Sequence, residues 1–105
     1  MSIDDRRLLD QFAERVRAHA PSAVIYAFGS RARGTADPES DLDLCVIVPE
    51  VTREISDAVG TVAWEIGFEA GRVLAPIMVS ADAFERGPLS ASTLVANIRR
   101  EGVSA

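Results

Sequence analysis

The sequence predicts an α/β fold, α-β-α-β-α-β, built around a three-stranded mixed sheet in the order 1-2-3. Three observations carry this expectation. Helical and strand periodicities alternate along the 105 residues, which suit one domain spanning 1–105. The connector between the first two strands, residues 31–40, is shorter than a parallel crossover usually needs, so those strands run antiparallel. A long helix joins the second strand to the third, which makes that pair parallel through a right-handed crossover.

Ser2 to Ala20 reads as an amphipathic helix, with Leu8, Leu9, Phe12 and Val16 on one stripe and Arg6, Arg7, Asp10, Glu14, Arg15 and Arg17 at polar positions. Ser2 is an N-cap, Asp4 and Asp5 suit the positive end of the helix dipole, and Pro21 stops the run. His19, the sole histidine, falls in the last turn and reads as solvated. Ala23 to Phe28 is a short apolar run with β-branched and aromatic members, the pattern of a buried strand. Gly34, Asp37 and Pro38 break any long helix in the connector. Asp41 to Val48 is the second strand, closed by Pro49. Val51 to Ala70 is the longest helix, with Ile55, Val59, Val62 and Ile66 on one stripe and Gly71 as its C-cap. Arg72 to Ser80 is the third strand, and Pro76, which cannot donate to a ladder, puts it at an edge. A short turn near Asp82–Arg86 and a helical patch around Thr93–Arg100 complete the chain.

Composition narrows the function. A net charge of −5 and a pI near 4.7 exclude bulk electrostatic binding of nucleic acid, which calls for a basic surface. Cys45 is the lone cysteine and reads as a buried thiol. The sequence shows no signal peptide and no apolar run long enough to span a bilayer, so a cytoplasmic location without membrane contact is expected.

The chemistry concentrates in Gly29–Leu44, GSRARGTADPESDLDL. Asp41 and Asp43 alternate along a strand and so share a face, where like charges repel unless a cation or proton neutralises them. Mg²⁺ suits such a site, since it takes hard oxygen ligands and is held by one or two carboxylates with substrate phosphates. Gly29-Ser30 permits a tight turn whose exposed N–H groups can cradle an anion. A helix starting near Ser30 would add partial positive charge there. Together these parts make a site for a nucleoside triphosphate with its metal.

Gly29, Ser30, Arg33, Gly34, Ser40, Asp41, Asp43 and Leu44 resemble the signature of the DNA polymerase beta-like nucleotidyltransferase superfamily: Gly-Ser, ten residues, Asp-x-Asp. The resemblance is to its small bacterial branch, the minimal nucleotidyltransferases often encoded beside a HEPN-domain partner. It implies a polymerase-beta-like core. It also implies that Gly29, Ser30 and Ser40 bind an NTP, with ATP the leading choice. Arg31 and Arg33 could add charge-assisted contacts to phosphate oxygens, although Arg31, a position the pattern leaves free, reads equally as a solvated loop arginine. Asp41 and Asp43 would be the metal-binding catalytic residues. The implied activity moves a nucleotidyl group, AMP in the leading case, onto a hydroxyl of a partner protein. That partner would be a HEPN toxin, with this chain as antitoxin. Catalytic relatives usually carry a third carboxylate on the third strand. Here that strand, RVLAPIMVS, has no acid, and the nearest are Glu69 and Asp82. A rival reading is therefore a non-catalytic module that neutralises its partner by contact.

One feature of the long helix stands outside this pattern. Trp64 and Phe68 are four residues apart, almost opposite the Ile55–Ile66 stripe, and so form an outward aromatic pair. Either the tail covers them through Leu94 and Ile98, or a second chain does. The second is the expectation, as a partner or homo-oligomer interface, because exposed apolar patches mark contact surfaces.

Overall fold

The computed structural model describes residues 1–35 and 39–105. Asp37 and Pro38, read above as helix breakers, lie outside the described residues. Helix α1 (Ile3–His19) starts where the Ser2 hydroxyl accepts from the Asp5 amide at 3.0 Å, and it buries Leu8, Leu9, Phe12 and Val16. Strand β1 (Val24–Phe28) runs into the one-and-a-half-turn helix α2 (Gly29–Arg33), which Gly34 ends in a left-handed conformation. Strand β2 (Leu42–Val48) leads to α3 (Arg53–Ala70), capped by the Thr52 side chain at one end and left-handed Gly71 at the other. Then follow β3 (Leu74–Ser80), the short helix α4 (Ala81–Glu85), a 3₁₀ turn (Pro88–Ala91), α5 (Thr93–Glu101) and β4 (Val103–Ser104).

Strand alternation divides the core into two clusters. Leu42, Leu44, Val46 and Val48 of β2 face α1 and α3, where they meet Leu9, Phe12, Val59, Val62 and Ile66. Cys45 and Ile47 face the other way and pack with Val79, Phe84, Val95 and Ile98, beneath α4 and α5. Both faces of β2 are thus covered, which is why its sequence is apolar at nearly every position. Cys45 is fully buried, and burial pushes its thiol up to about 11.

The expected antiparallel β1–β2 pair and parallel β2–β3 pair are both present. Among the described residues, however, the sheet has four strands in the order β3-β2-β1-β4, so the expectation of three strands ordered 1-2-3 is corrected by one added strand. Val103 and Ser104 pair antiparallel with Ala27 and Tyr26, and the Ala105 amide donates to Ile25 O at 3.0 Å. A two-residue strand is too short to show any alternation, so the sequence carried no sign of it. Its effect is to cover the outer edge of β1, leaving β3, with Pro76, at the opposite edge.

The turn into β4 depends on Gly102. Its amide donates to Ile98 O at 2.8 Å, and a Cβ at this position would collide with that same carbonyl. Gly102→Ala should therefore destabilise the fold by roughly 1–3 kcal/mol, the scale of overpacking in a tight site. It should also speed hydrogen exchange at the Ala105 amide. Unchanged exchange there would show that the turn absorbs a side chain.

Candidate active site

The β1–β2 register builds the site. Phe28 is paired with Asp43, so the residue after Phe28 arrives beside the Asp43 carboxylate. That residue is Gly29, at φ +76°, and a Cβ on it would lie 2.6 Å from Asp43 Oδ2. Two requirements therefore fall on one position: a left-handed turn out of the strand, and no side chain where the carboxylate stands. Ser30 follows in the first turn of α2, half-buried, and its carbonyl accepts from Thr35 at 3.0 Å.

Asp41 sits immediately before β2 and is exposed, whereas Asp43 lies within the strand and is half-buried. Burial, together with the neighbouring charge of Asp41, pushes the Asp43 carboxyl above its usual range. This pair fits a hard divalent cation. It offers two oxygen-donor side chains on one strand face, with an electrostatic cost in the charged state that a cation would relieve.

The partner strand supplies no further acid. In the parallel register Asp43 is opposite Ala75 and Leu42 is opposite Leu74. Among the described residues no group of three or more His, Cys, Asp or Glu is placed to hold a metal ion. Asp82 lies beyond Ser80, past the far end of β3, as the strand direction requires.

The two arginines of the motif have different surroundings. Arg33 is exposed and pairs with Glu101 of α5 at 3.3 Å. Arg31 turns toward α1: its Nη1 lies 3.3 Å from Asp5 Oδ2, and its Nε donates to the Ser40 carbonyl at 3.1 Å. Asp5 Oδ1 in turn accepts from Arg72 at 2.6 Å. Asp5 is only 2% exposed. Burial would raise its carboxyl, but the Arg72 hydrogen bond and the charges of Arg72 and Arg31, with the Ser2 hydroxyl, outweigh that and hold it below the usual range. Asp5 and Arg72 had no place in the sequence-derived site. The sign was there, because Asp5 stands in helical phase with Leu8, Leu9 and Phe12, an acid on an apolar stripe.

Trp64 and Phe68 are stacked, with ring centroids 5.2 Å apart, and stay 66% and 76% exposed. Leu94 and Ile98 belong to the α4–α5 cluster on the other side of the sheet, so the tail does not cover the aromatic pair. Val73, immediately before β3 and 59% exposed, lines the same surface hollow as the two rings.

Comparison with known proteins bears on the family and the fold. The family model described as "Nucleotidyltransferase domain" matches residues 9–99. A bifunctional uridylyltransferase/uridylyl-removing enzyme of Pseudoalteromonas translucida (strain TAC 125) is 34% identical over 71 residues, or 64% of this chain. The chain spans only 8% of that enzyme's length. A crystal structure of a toxin–antitoxin with AMP-PNP superimposes with a TM-score of 0.59 at 23% identity, covering 90% of this chain and 69% of the other. A mutant of the toxin–antitoxin MntA-HpeT gives a TM-score of 0.60 at 18% identity, covering 91% and 69%. At such identities these structures establish the shared fold.

The raised Asp43 carboxyl gives a signed expectation. An acid whose folded value lies above its unfolded one, near 3.9, adds stability below that unfolded value and loses it as pH rises through the folded value. At pH 7 without metal the charged group therefore weakens the fold. Asp43→Asn should raise Tm at pH 7 by ~2–4 °C, the scale of half a kcal/mol in a domain this size. The gain should shrink toward pH 3, as followed by thermal melts in chelator. A lower Tm at pH 7 would mean that the carboxylate is stabilising.

Proposed function

The chain belongs to the nucleotidyltransferase domain family, and on that footing we propose that it transfers a nucleotidyl group, AMP from ATP in the leading case, to a hydroxyl of a partner protein. The observation that carries this reading is the close approach of Gly29, which leads into Ser30, to the Asp43 carboxylate through one strand register. Asp41 and Asp43 hold Mg²⁺, which when bound neutralises negative charge on the triphosphate. Gly29 and Ser30 cradle the phosphates with backbone N–H groups, and Ser40 borders the same loop. Arg33 is available to the phosphates because an exposed ion pair such as Arg33–Glu101 is worth little and yields readily. Arg31 steadies the loop from beneath, through the Ser40 carbonyl. The acceptor oxygen bonds to the α-phosphorus, the bond from that phosphorus to pyrophosphate breaks, and the hydroxyl proton passes to solvent. A positioned base would add typically ~10²–10⁴-fold. Ala75 stands where a third carboxylate would face Asp43, so turnover should be slow.

The partner is proposed to be a HEPN-type toxin, with this chain as its antitoxin in the cytoplasm. Support comes from the fold shared with toxin–antitoxin structures and from the exposed Trp64–Phe68 pair beside Val73. A stacked aromatic pair left open to solvent is the sort of anchor that protein contacts use. Among the described residues no helix is long and apolar enough to cross a membrane. A second reading, inhibition by contact with a vestigial nucleotide pocket, is favoured by the acid-free third strand.

One experiment separates the two. The chain is incubated with ATP, Mg²⁺ and the product of its neighbouring gene, then intact masses are measured. Transfer predicts partner molecules heavier by AMP units, none with Asp41→Asn/Asp43→Asn, and several-fold less with Trp64→Ala/Phe68→Ala folded normally by circular dichroism. An unmodified partner that is nonetheless inhibited would establish the contact mechanism instead.

A further inference from the structure

Asp5 lies on α1, outside the motif, yet both residues flanking Asp41 lead back to it. On one side, the Ser40 carbonyl accepts from Arg31 Nε at 3.1 Å, and Arg31 Nη1 lies 3.3 Å from Asp5 Oδ2. On the other, the Leu42 amide donates to Val73 O at 2.9 Å, and Val73 follows Arg72, whose Nη2 donates to Asp5 Oδ1 at 2.6 Å. One carboxylate, nearly sealed from solvent, thus holds two arginines: Arg31 bonds the chain immediately before an exposed acid, and the residue after Arg72 bonds the chain immediately after it.

We infer that Asp5 is a positioning residue for the Asp41–Asp43 pair: its buried carboxylate, through Arg31 and Arg72, fixes the Ser40–Leu42 backbone so that both acids face one cation. The chemistry of this arrangement supports a role beyond gluing α1 to the sheet. The contact between α1 and α3 already has a core of Leu8, Leu9, Phe12, Val59, Val62 and Ile66. A buried ion pair is, moreover, no better for stability than well-packed apolar groups of the same volume, and fixing a unique geometry is a role attested for such groups. Partners behind metal ligands typically alter metal affinity by ~10–100-fold. Asp41 is itself exposed, so its backbone is the part of it that the rest of the protein can fix. The inference rests on the metal-dependent reading given above.

The test titrates Mn²⁺ alone, without nucleotide, into the intact chain and counts the free ion by electron paramagnetic resonance. The apparent midpoint is the intrinsic one divided by the folded fraction, so only variants at least about nine-tenths folded by circular dichroism are compared. Destabilisation then moves it by no more than about a tenth. The wild type should show a carboxylate-dependent site that Asp41→Asn abolishes. Asp5→Asn should shift the midpoint about tenfold to higher Mn²⁺. Arg72→Gln, which leaves the Asp5–Arg31 arm in place, should shift it in the same direction by a smaller factor, and it decides the matter if Asp5→Asn does not fold. Arg15→Gln removes the exposed Arg15–Glu65 pair between α1 and α3 and should leave the midpoint where it was. Wild-type midpoints in the Asp5 and Arg72 variants would overturn the role given to Asp5. A wild-type chain with no Mn²⁺ site would overturn this inference, whereas the metal-dependent reading fails only if Mg²⁺ is also not held in the presence of nucleotide.

Discussion

The pairing of Phe28 with Asp43 is the constraint on which the rest of the site depends. It fixes where β1 must end, because the next residue meets the Asp43 carboxylate and has to be a glycine. It therefore fixes where the α2 turn begins and where Ser30 lies. A slip of one residue would invert every side chain of β2, sending both acids into the α1–α3 core and Leu42, Leu44 and Val46 to the opposite face. The hydrophobic pattern and the geometry of the candidate site thus enforce one another: the register that buries the leucines is the register that presents the acids.

Two carboxylate environments, Asp5 on α1 and Asp43 in β2, show how charge is divided between structure and chemistry. Asp5 is buried with two arginines, and its stability contribution is present above the unfolded carboxyl value and lost as pH falls through its lowered folded value. Asp43 is half-buried beside another acid and carries the opposite sign, at some cost to the fold at neutral pH. An acid satisfied by the protein serves as a fixed anchor. An acid left in conflict with its neighbour is suited to binding.

Much of this was legible in the sequence. The principal helices with their Ser2, Pro21 and Gly71 boundaries, the apolar strands, the edge position of the Pro76 strand and the joining of Gly-Ser to Asp-x-Asp all follow from local rules that tertiary packing did not override. What was not legible depended on contacts between segments distant in the chain. Strand β4 is too short to show a period, and only its neighbour β1 makes it a strand. The inward turn of Arg31 could not be chosen from the local sequence alone, because its partner Asp5 is 26 residues away. The fate of Trp64 and Phe68 turned on which side of the sheet α5 packs against, which helical spacing does not specify.

The central claim is that Asp41 and Asp43 together form a metal–nucleotide site. Titration calorimetry with Mg²⁺ and a non-hydrolysable ATP analogue tests it most directly, comparing the wild type with Asp41→Asn/Asp43→Asn at equal fold content. Saturable binding by the wild type that needs Mg²⁺ and is lost or weakened at least tenfold in the double variant is the predicted result. Equal binding by both proteins, or binding indifferent to Mg²⁺, would contradict it.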